Sequence, residues 1–340
     1  MKKLYYLLPL LAALLVPGKA SAQMMPDSTV QVVAYWQVGD TVDYAIEEKK
    51  YAVGENEEET LTASNARALH IEVVAATDTT YTLTVTADDP TGFDLGFVTK
   101  PEDQALLPRL TYNVTTNDLG SFMRLENGDE IFAKTQQSSL EIAKAFYKSL
   151  NPETKALFPT EKSFTDYIVG RFEDSGYLFQ LCIKDISELL FYHGAKLDTT
   201  RTYSYKQDYI LNIGKQIEMD VVFWVDSELT DEYSAVIRKA KDGSEQMYAA
   251  VRDFLYTLQA DNPEALSYDE FCKEYDKEMF KEAAEFRLEE FFAEEIHLDS
   301  GWPLRLVYDF ESVATTTGEV KGTHVNRHIR YVMEDEEESE

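Results

Sequence analysis

Apolar and polar residues alternate with a period of two through most of the segment from Tyr35 to Leu125, which restricts that part of the chain to strands with one covered and one wet face. Val42, Tyr44 and Ile46 alternate with Asp43, Ala45 and Glu47, and two further runs, Leu69–Ile71–Val73 and Tyr81–Leu83–Val85, flank the turn-like Thr77–Thr80. Leu110, Tyr112 and Val114, then Phe122 and Leu125, form a hairpin turned at Asn117-Asp118-Leu119-Gly120. Consecutive runs joined by short turns specify an antiparallel meander.

The period then changes. Ser138 with Glu141 reads as a capping box ahead of Leu140, Ala143, Phe146 and Leu150, and the helical pattern continues over Ser163–Phe172 and Tyr177–His193. Strands resume at Thr199–Asn212, Lys215–Val225 and Tyr233–Lys239. Helices follow over Ser244–Ala260 and, with a second capping box at Ser267 and Glu270, from Ser267 to about Glu295. Leu304–Ser312 and His324–Met333 read as the last two strands. Blocks of strands separated by blocks of helices indicate an α+β fold, with one or two curved antiparallel sheets packed against inserted helical blocks. The order also suggests a two-fold internal duplication.

The first residues carry an address. Lys2 and Lys3 precede the apolar run Leu4–Val16, Pro17-Gly18 interrupts it, and Ala20-Ser21-Ala22 supplies small residues for cleavage. That order reads as a secretory signal over residues 1–22, with Gln23 opening the mature chain. The expected organisation is therefore the signal, a strand-rich half with its helical block (23–195), a strand-helix-strand half (196–333) and an acidic tail (334–340). The protein is expected to be exported, either periplasmic or secreted, with no transmembrane segment after cleavage.

Composition narrows the partners. With 62 acidic against 32 basic side chains the chain carries −30, and loss of Lys2, Lys3 and Lys19 with the signal makes that −33. A field of this sign repels phosphate backbones, which excludes nucleic acid, and its main consequence is solubility. The hydrophobic fraction of 44% supplies a sizeable core. Cys182 and Cys272 could close a loop of about 90 residues, worth on the order of 4 kcal/mol, but both sit in buried helical patterns and read as reduced core thiols.

The motifs of common chemistries are missing. The chain has no Gly-x-Ser-x-Gly elbow, no phosphate-cradling glycine loop and no His-Glu-x-x-His helix. His324, Asn326, His328 and Arg330 form a polar stripe on one strand face, and His193 closes a helix where an imidazolium would offset the dipole. Asp88, Asp89 and Asp94 around Pro90 and Gly92 are the calcium candidates, and calcium is the one cofactor the residues suggest. The 21 Tyr, 18 Phe and 3 Trp are the unusual surplus. Trp36, Tyr203, Tyr205, Trp224 and Trp302 could form platforms for a glycan or walls of an apolar cavity.

The phrase Trp36-Gln37-Val38-Gly39-Asp40-Thr41-Val42-Asp43-Tyr44 and the later Tyr112–Phe122 hairpin resemble uncharacterised exported proteins of gut-associated Gram-negative bacteria. The resemblance implies an exported α+β protein without a known reaction. It also makes Ser28, Thr41, Thr79 and Thr199 similar to the short Asp-Ser/Thr-containing O-glycosylation signal of that group. The expected function is a non-enzymatic envelope protein that binds a lipophilic molecule, a glycan or another envelope protein on its aromatic scaffold. The alternatives are a carboxylate-dependent hydrolase of the glycosidase type and a scaffold without a ligand pocket.

Overall fold

A computed structural model describes residues 28–88, 109–150, 152, 155, 158–170, 183–211, 215–259, 266–281, 285–316 and 319–332. After a short β1 (Thr29–Gln31), the first meander comprises β2 (Thr41–Val53), β3 (Glu59–Ala76), β4 (Thr80–Asp88), β5 (Arg109–Asn117) and β6 (Phe122–Leu125). Helices α1 (Gly128–Ser149) and α2 (Glu161–Gly170) and a helical segment at 183–189 follow. Then come β7 (Lys196–Asp198), β8 (Thr202–Ile210), β9 (Gln216–Val225) and β10 (Ser234–Asp242), helices α3 (Ser244–Gln259) and α4 (Tyr268–Lys281), and β11 (Glu285–His297), β12 (Pro303–Thr316) and β13 (Glu319–Tyr331).

Among the described residues β2–β6 and β8–β13 form one eleven-stranded sheet in the order β6-β5-β4-β3-β2-β13-β12-β11-β10-β9-β8, and β1 pairs with β7 apart from it. Every pairing is antiparallel, so the sheet consists of two meanders joined where the last strand meets the first long one, Ile329 opposite Ile46. One continuous sheet thus passes through both halves of the chain; a duplication is not shown. Bulges at Lys50/Tyr51, Val73/Ala75, Thr115/Thr116 and Glu295/Ile296 bend it locally.

The alternation read from sequence decides which face is covered. Tyr44, Ile46, Leu69, Ile71, Leu83, Val85, Tyr112 and Val114 are all buried on the inner face, together with Ile237, Phe292, Leu306 and Ile329 of the second meander. The segment 183–193 lies over this face with Ile186, Leu189, Leu190 and Tyr192 buried in the same core. A smaller cluster, Leu211, Ile217, Met219 and Leu288, is covered by Met247 and Ala250 of α3. The inner face therefore has two helical covers at different levels along the strands.

The turns follow their chemistry. Asn117 Oδ1 accepts hydrogen bonds from the Leu119 and Ser121 amides, and Gly120 adopts φ +92° where an added Cβ would lie 2.6 Å from His193 Cδ2. Gly301 (φ +76°) makes the corner before Trp302-Pro303, and a Cβ there would stand 2.3 Å from the Val33 carbonyl oxygen. At Ser267 the capping box forms: Ser267 Oγ donates to Glu270 Oε2 at 2.6 Å, and the Glu270 amide donates back at 3.4 Å.

Two expectations are corrected. Helix α1 starts at Gly128, with Asn127 at its N-cap, rather than at Ser138, because acidic Asp129 and Glu130 already suit a first turn. The long helix expected to reach Glu295 stops at Lys281, and residues 285–297 form β11. Its inward positions, Leu288, Glu290, Phe292, Glu294 and Ile296, include two glutamates, which hide the alternation.

Candidate functional site

Those two glutamates open onto the least ordinary part of the molecule. Strand register places Lys241 opposite Glu290, Lys239 opposite Phe292 and Ile237 opposite Glu294. Across the next pair Phe292 faces Tyr308 and Glu290 faces Phe310, and Tyr308 is in turn opposite Arg327. Side chains at such positions share one face of the sheet, so cations, carboxyls and rings are interleaved in rows on the inner surface. Lys241, Phe310 and Val325 stay half-buried and Tyr205 exposed, in the strip between the cover at 183–193 and α3. Along that strip the inner face is only partly closed over.

The charges in it are unequally satisfied. Lys241 Nζ lies 2.6 Å from Glu290 Oε1. Lys239 Nζ instead sits over rings, 4.4 Å from the Phe292 centroid and 5.1 Å from that of Phe191. Among the described residues no carboxylate comes within ion-pair distance of it. Burial, with Lys241 nearby, lowers the Lys239 ammonium to about 8. Lys184 reaches down from the cover to within 5.8 Å of the Tyr308 ring centre, and burial followed by repulsion from Arg327 brings it to about 8 as well. Both lysines are half-buried by surface area, and burial is the largest cause of each shift.

Glu294 is fully buried and neither carboxyl oxygen has a hydrogen-bond partner. Burial raises its pKa well above the ordinary range, against a smaller opposing effect from Lys239. Tyr192 stands beside it with its own hydroxyl unpartnered; burial, then Glu294, raises that phenol. The phenols of Tyr205, Tyr209 and Tyr308 are raised too, by burial first and then by Glu290.

The cover is fastened by ion pairs on its other flank. Arg67 Nη2 donates to both oxygens of Asp185, Arg327 Nη1 lies 3.5 Å from the same carboxylate, and Arg327 Nη2 also meets Glu188. Arg327, fully buried, is opposite Glu48 across the central strand pair. The cover is thus clamped across β3 and β13.

The residues singled out in the sequence divide into three places. Trp36 and Trp302 stack at 4.2 Å and 16° in a buried corner with His193 and Tyr81, so they pack the core and offer no platform to a glycan. Their positions beside strand ends bring them under the Gly301 corner. Tyr203 and Tyr205 do border the strip: Tyr203 stacks on Phe223 at 4.8 Å and Tyr205 meets the same ring edge-on. Trp224 lies next to Phe223 on β9 and so points to the opposite, outer face. Lys239, Glu290 and Glu294 were not singled out; the broken alternation of β11 was their available signal.

Other candidates resolve individually. His193 is buried and lowered to about 4 by burial, so it is neutral, and its Nε2 donates to the Gly301 carbonyl at 2.7 Å; the imidazolium expected at a helix end is not formed. His324 bridges Glu59 (2.6 Å) and Asp309 (3.1 Å) on the outer face, where burial opposes and the two carboxylates prevail in raising its pKa. Neighbouring Glu47, Lys49, Asn326 and His328 border a shallow outer groove of about 280 Å³. Asp89, Asp94 and Cys182 lie outside the described residues, as does the side chain of Asp88; Cys272 carries no disulfide among the described residues. No group of three metal-ligating side chains occurs among the described residues.

Thr41 and Thr79 are exposed, whereas Thr199 Oγ1 donates to the Ser28 carbonyl and ties those two candidates together. Among the described residues no helix is long and apolar enough to cross a membrane.

Comparison with known proteins adds little to this geometry. No family model matches the chain, and no curated protein does. Among solved structures, one of lipovitellin described for its lipid–protein interactions aligns at 10% identity with a TM-score of 0.35, covering 87% of this chain and 25% of that one. The chain therefore spans about a quarter of that protein's length. The attachment invasion locus protein Ail of Yersinia pestis aligns at 3% identity with a TM-score of 0.14, covering 87% of this chain and all of Ail. Likeness at these scores carries no argument about fold or ligand.

Proposed function

We propose that this is an exported binding protein that holds a lipophilic or amphipathic small molecule in the inner-face cleft. The observation that carries the reading is a row of desolvated but half-exposed side chains, Lys239, Tyr308, Phe310 and Tyr205 among them, left between two helical covers. Rows such as Leu69, Ile71, Leu83 and Val85 are closed and apolar; this one is half-exposed, ring-lined and polar at chosen points, the usual composition of a ligand pocket. A glycan on the tryptophans is disfavoured by the burial of Trp36 and Trp302. Export rests on the charged, apolar and small-residue order of residues 1–22, and the resemblance to exported envelope proteins points the same way.

Native mass spectrometry of the protein isolated from the cell that makes it tests both parts. A mature mass starting at Gln23 plus a non-covalent small molecule is the expected result. An unprocessed chain in the cytosolic fraction would refute export. A bare mass, together with no binding of an apolar fluorophore, would refute the cleft.

A further inference from the structure

Most of the charges lining the cleft are already paired. Glu290 meets Lys241, Asp185 meets Arg67 and Arg327, Glu188 meets Arg327, and Glu294 has no hydrogen-bond partner and is wholly enclosed. Lys239 is the exception that reaches the cleft. Its ammonium has three N–H donors, and the faces of Phe292 and Phe191 attract the charge without supplying an oxygen to accept them. Lys184 stands over Tyr308, the cross-strand partner of Phe292, so two ammonium groups approach adjacent rings, one from the sheet and one from the cover.

We infer that the cleft takes an amphipathic acid, with one anionic head group at Lys239 and an apolar chain along the half-buried Tyr308 and Phe310. The inference rests on the cleft reading above and adds the chemistry of the head. A carboxylate or phosphate ester supplies the oxygens that the rings lack, and a charge-assisted bond in a desolvated setting is stronger than a neutral one. Phe310 continues the apolar surface to Tyr209, ring centres 6.3 Å apart, at the cluster that α3 covers.

Binding of palmitate, hexadecanol, hexadecyl phosphate and acetate to the full mature protein, followed by displacement of an apolar fluorophore at neutral pH, tests it. Palmitate and hexadecyl phosphate are expected to bind about tenfold or more tightly than hexadecanol. Lys239→Met should abolish that preference and leave hexadecanol binding intact, while Lys239→Arg retains it. Equal binding of acid and alcohol by the unaltered protein would overturn the head-group assignment and leave the cleft standing. A preference that survives in Lys239→Met would overturn Lys239 as the anchor. Acetate binding as tightly as palmitate would replace the amphipath by a free small anion. Binding of none of the four would remove the cleft reading as well.

Discussion

Asp185 on the helical cover receives two hydrogen bonds from Arg67 Nη2 on β3, at 2.8 and 2.6 Å, with both side chains almost fully buried. The pair crosses from cover to sheet, so it fixes where the cover sits. Removing one partner leaves a buried charge without compensation. Asp185→Ala should lower stability by about 3 to 5 kcal/mol, read from urea unfolding, whereas Asp185→Leu combined with Arg67→Met should recover much of the loss. A cost below about 1 kcal/mol for the single variant would show that the pair is not holding the cover.

The same carboxylate sets an acid limit. Burial alone would raise Asp185, but Arg67, with Arg327 and Lys184, overrides it and holds the group below the usual range. Its contribution is therefore present above the unfolded pKa of about 3.9 and is lost as pH falls through the lower folded value. Circular dichroism across pH 2–5 should show the Asp185→Asn protein losing less stability than the unaltered one in that window.

Glu294 has the opposite sign. Its folded pKa lies well above its unfolded value, so its favourable contribution is complete only below about 4.3 and declines as pH rises towards the folded value. Glu294→Gln keeps the shape and removes the ionisation. The variant should match the original near pH 4 and melt at a higher temperature at pH 7; a lower melting temperature at pH 7 would mean that the ionised form is used.

Lys184 and Lys239 govern the alkaline side. Each titrates at about 8 in the folded chain and near 10.4 when unfolded, so between those values the unfolded chain binds more protons and stability rises with pH. Chemical unfolding at pH 8 and pH 10 should show this rise shrinking in Lys239→Met and again in the double variant with Lys184→Met. If acid binding uses Lys239, affinity for palmitate falls over the same range.

The Trp36–Trp302 stack serves the core. Trp302→Ala should cost about 3 to 5 kcal/mol through the cavity it leaves. Soluble oligosaccharides should leave tryptophan fluorescence unchanged, and a saturable change would reinstate the glycan reading.

Most of the sheet was legible because its inward positions are apolar. The meander from Val42 to Leu125 and strand β9 follow a pattern that packing dictates. Strand β11 was read as helix because Glu290 and Glu294 occupy inward places where alternation requires apolar residues. Local pattern failed where the inner face had been given polar groups, the circumstance in which a functional site violates the rules that build its surroundings. The clamp of Arg67, Asp185 and Arg327 was likewise invisible, since its members come from three distant segments and only topology unites them. The corner made by Gly301-Trp302-Pro303 could be read, but the stacking of Trp302 on Trp36 could not.

The junction of β2 with β13 has a temporal side. A chain emerging from its N-terminus completes β2–β6 long before β13 exists, and during that interval β2 is a bare edge of 13 residues with nothing to cap its backbone groups. The centre of the finished sheet is thus the last seam to close, and Arg327 and Ile329, which lock it, arrive within the final strand. Postponing that seam keeps the two meanders separable, at the cost of an adhesive edge that persists until the last of these strands arrives.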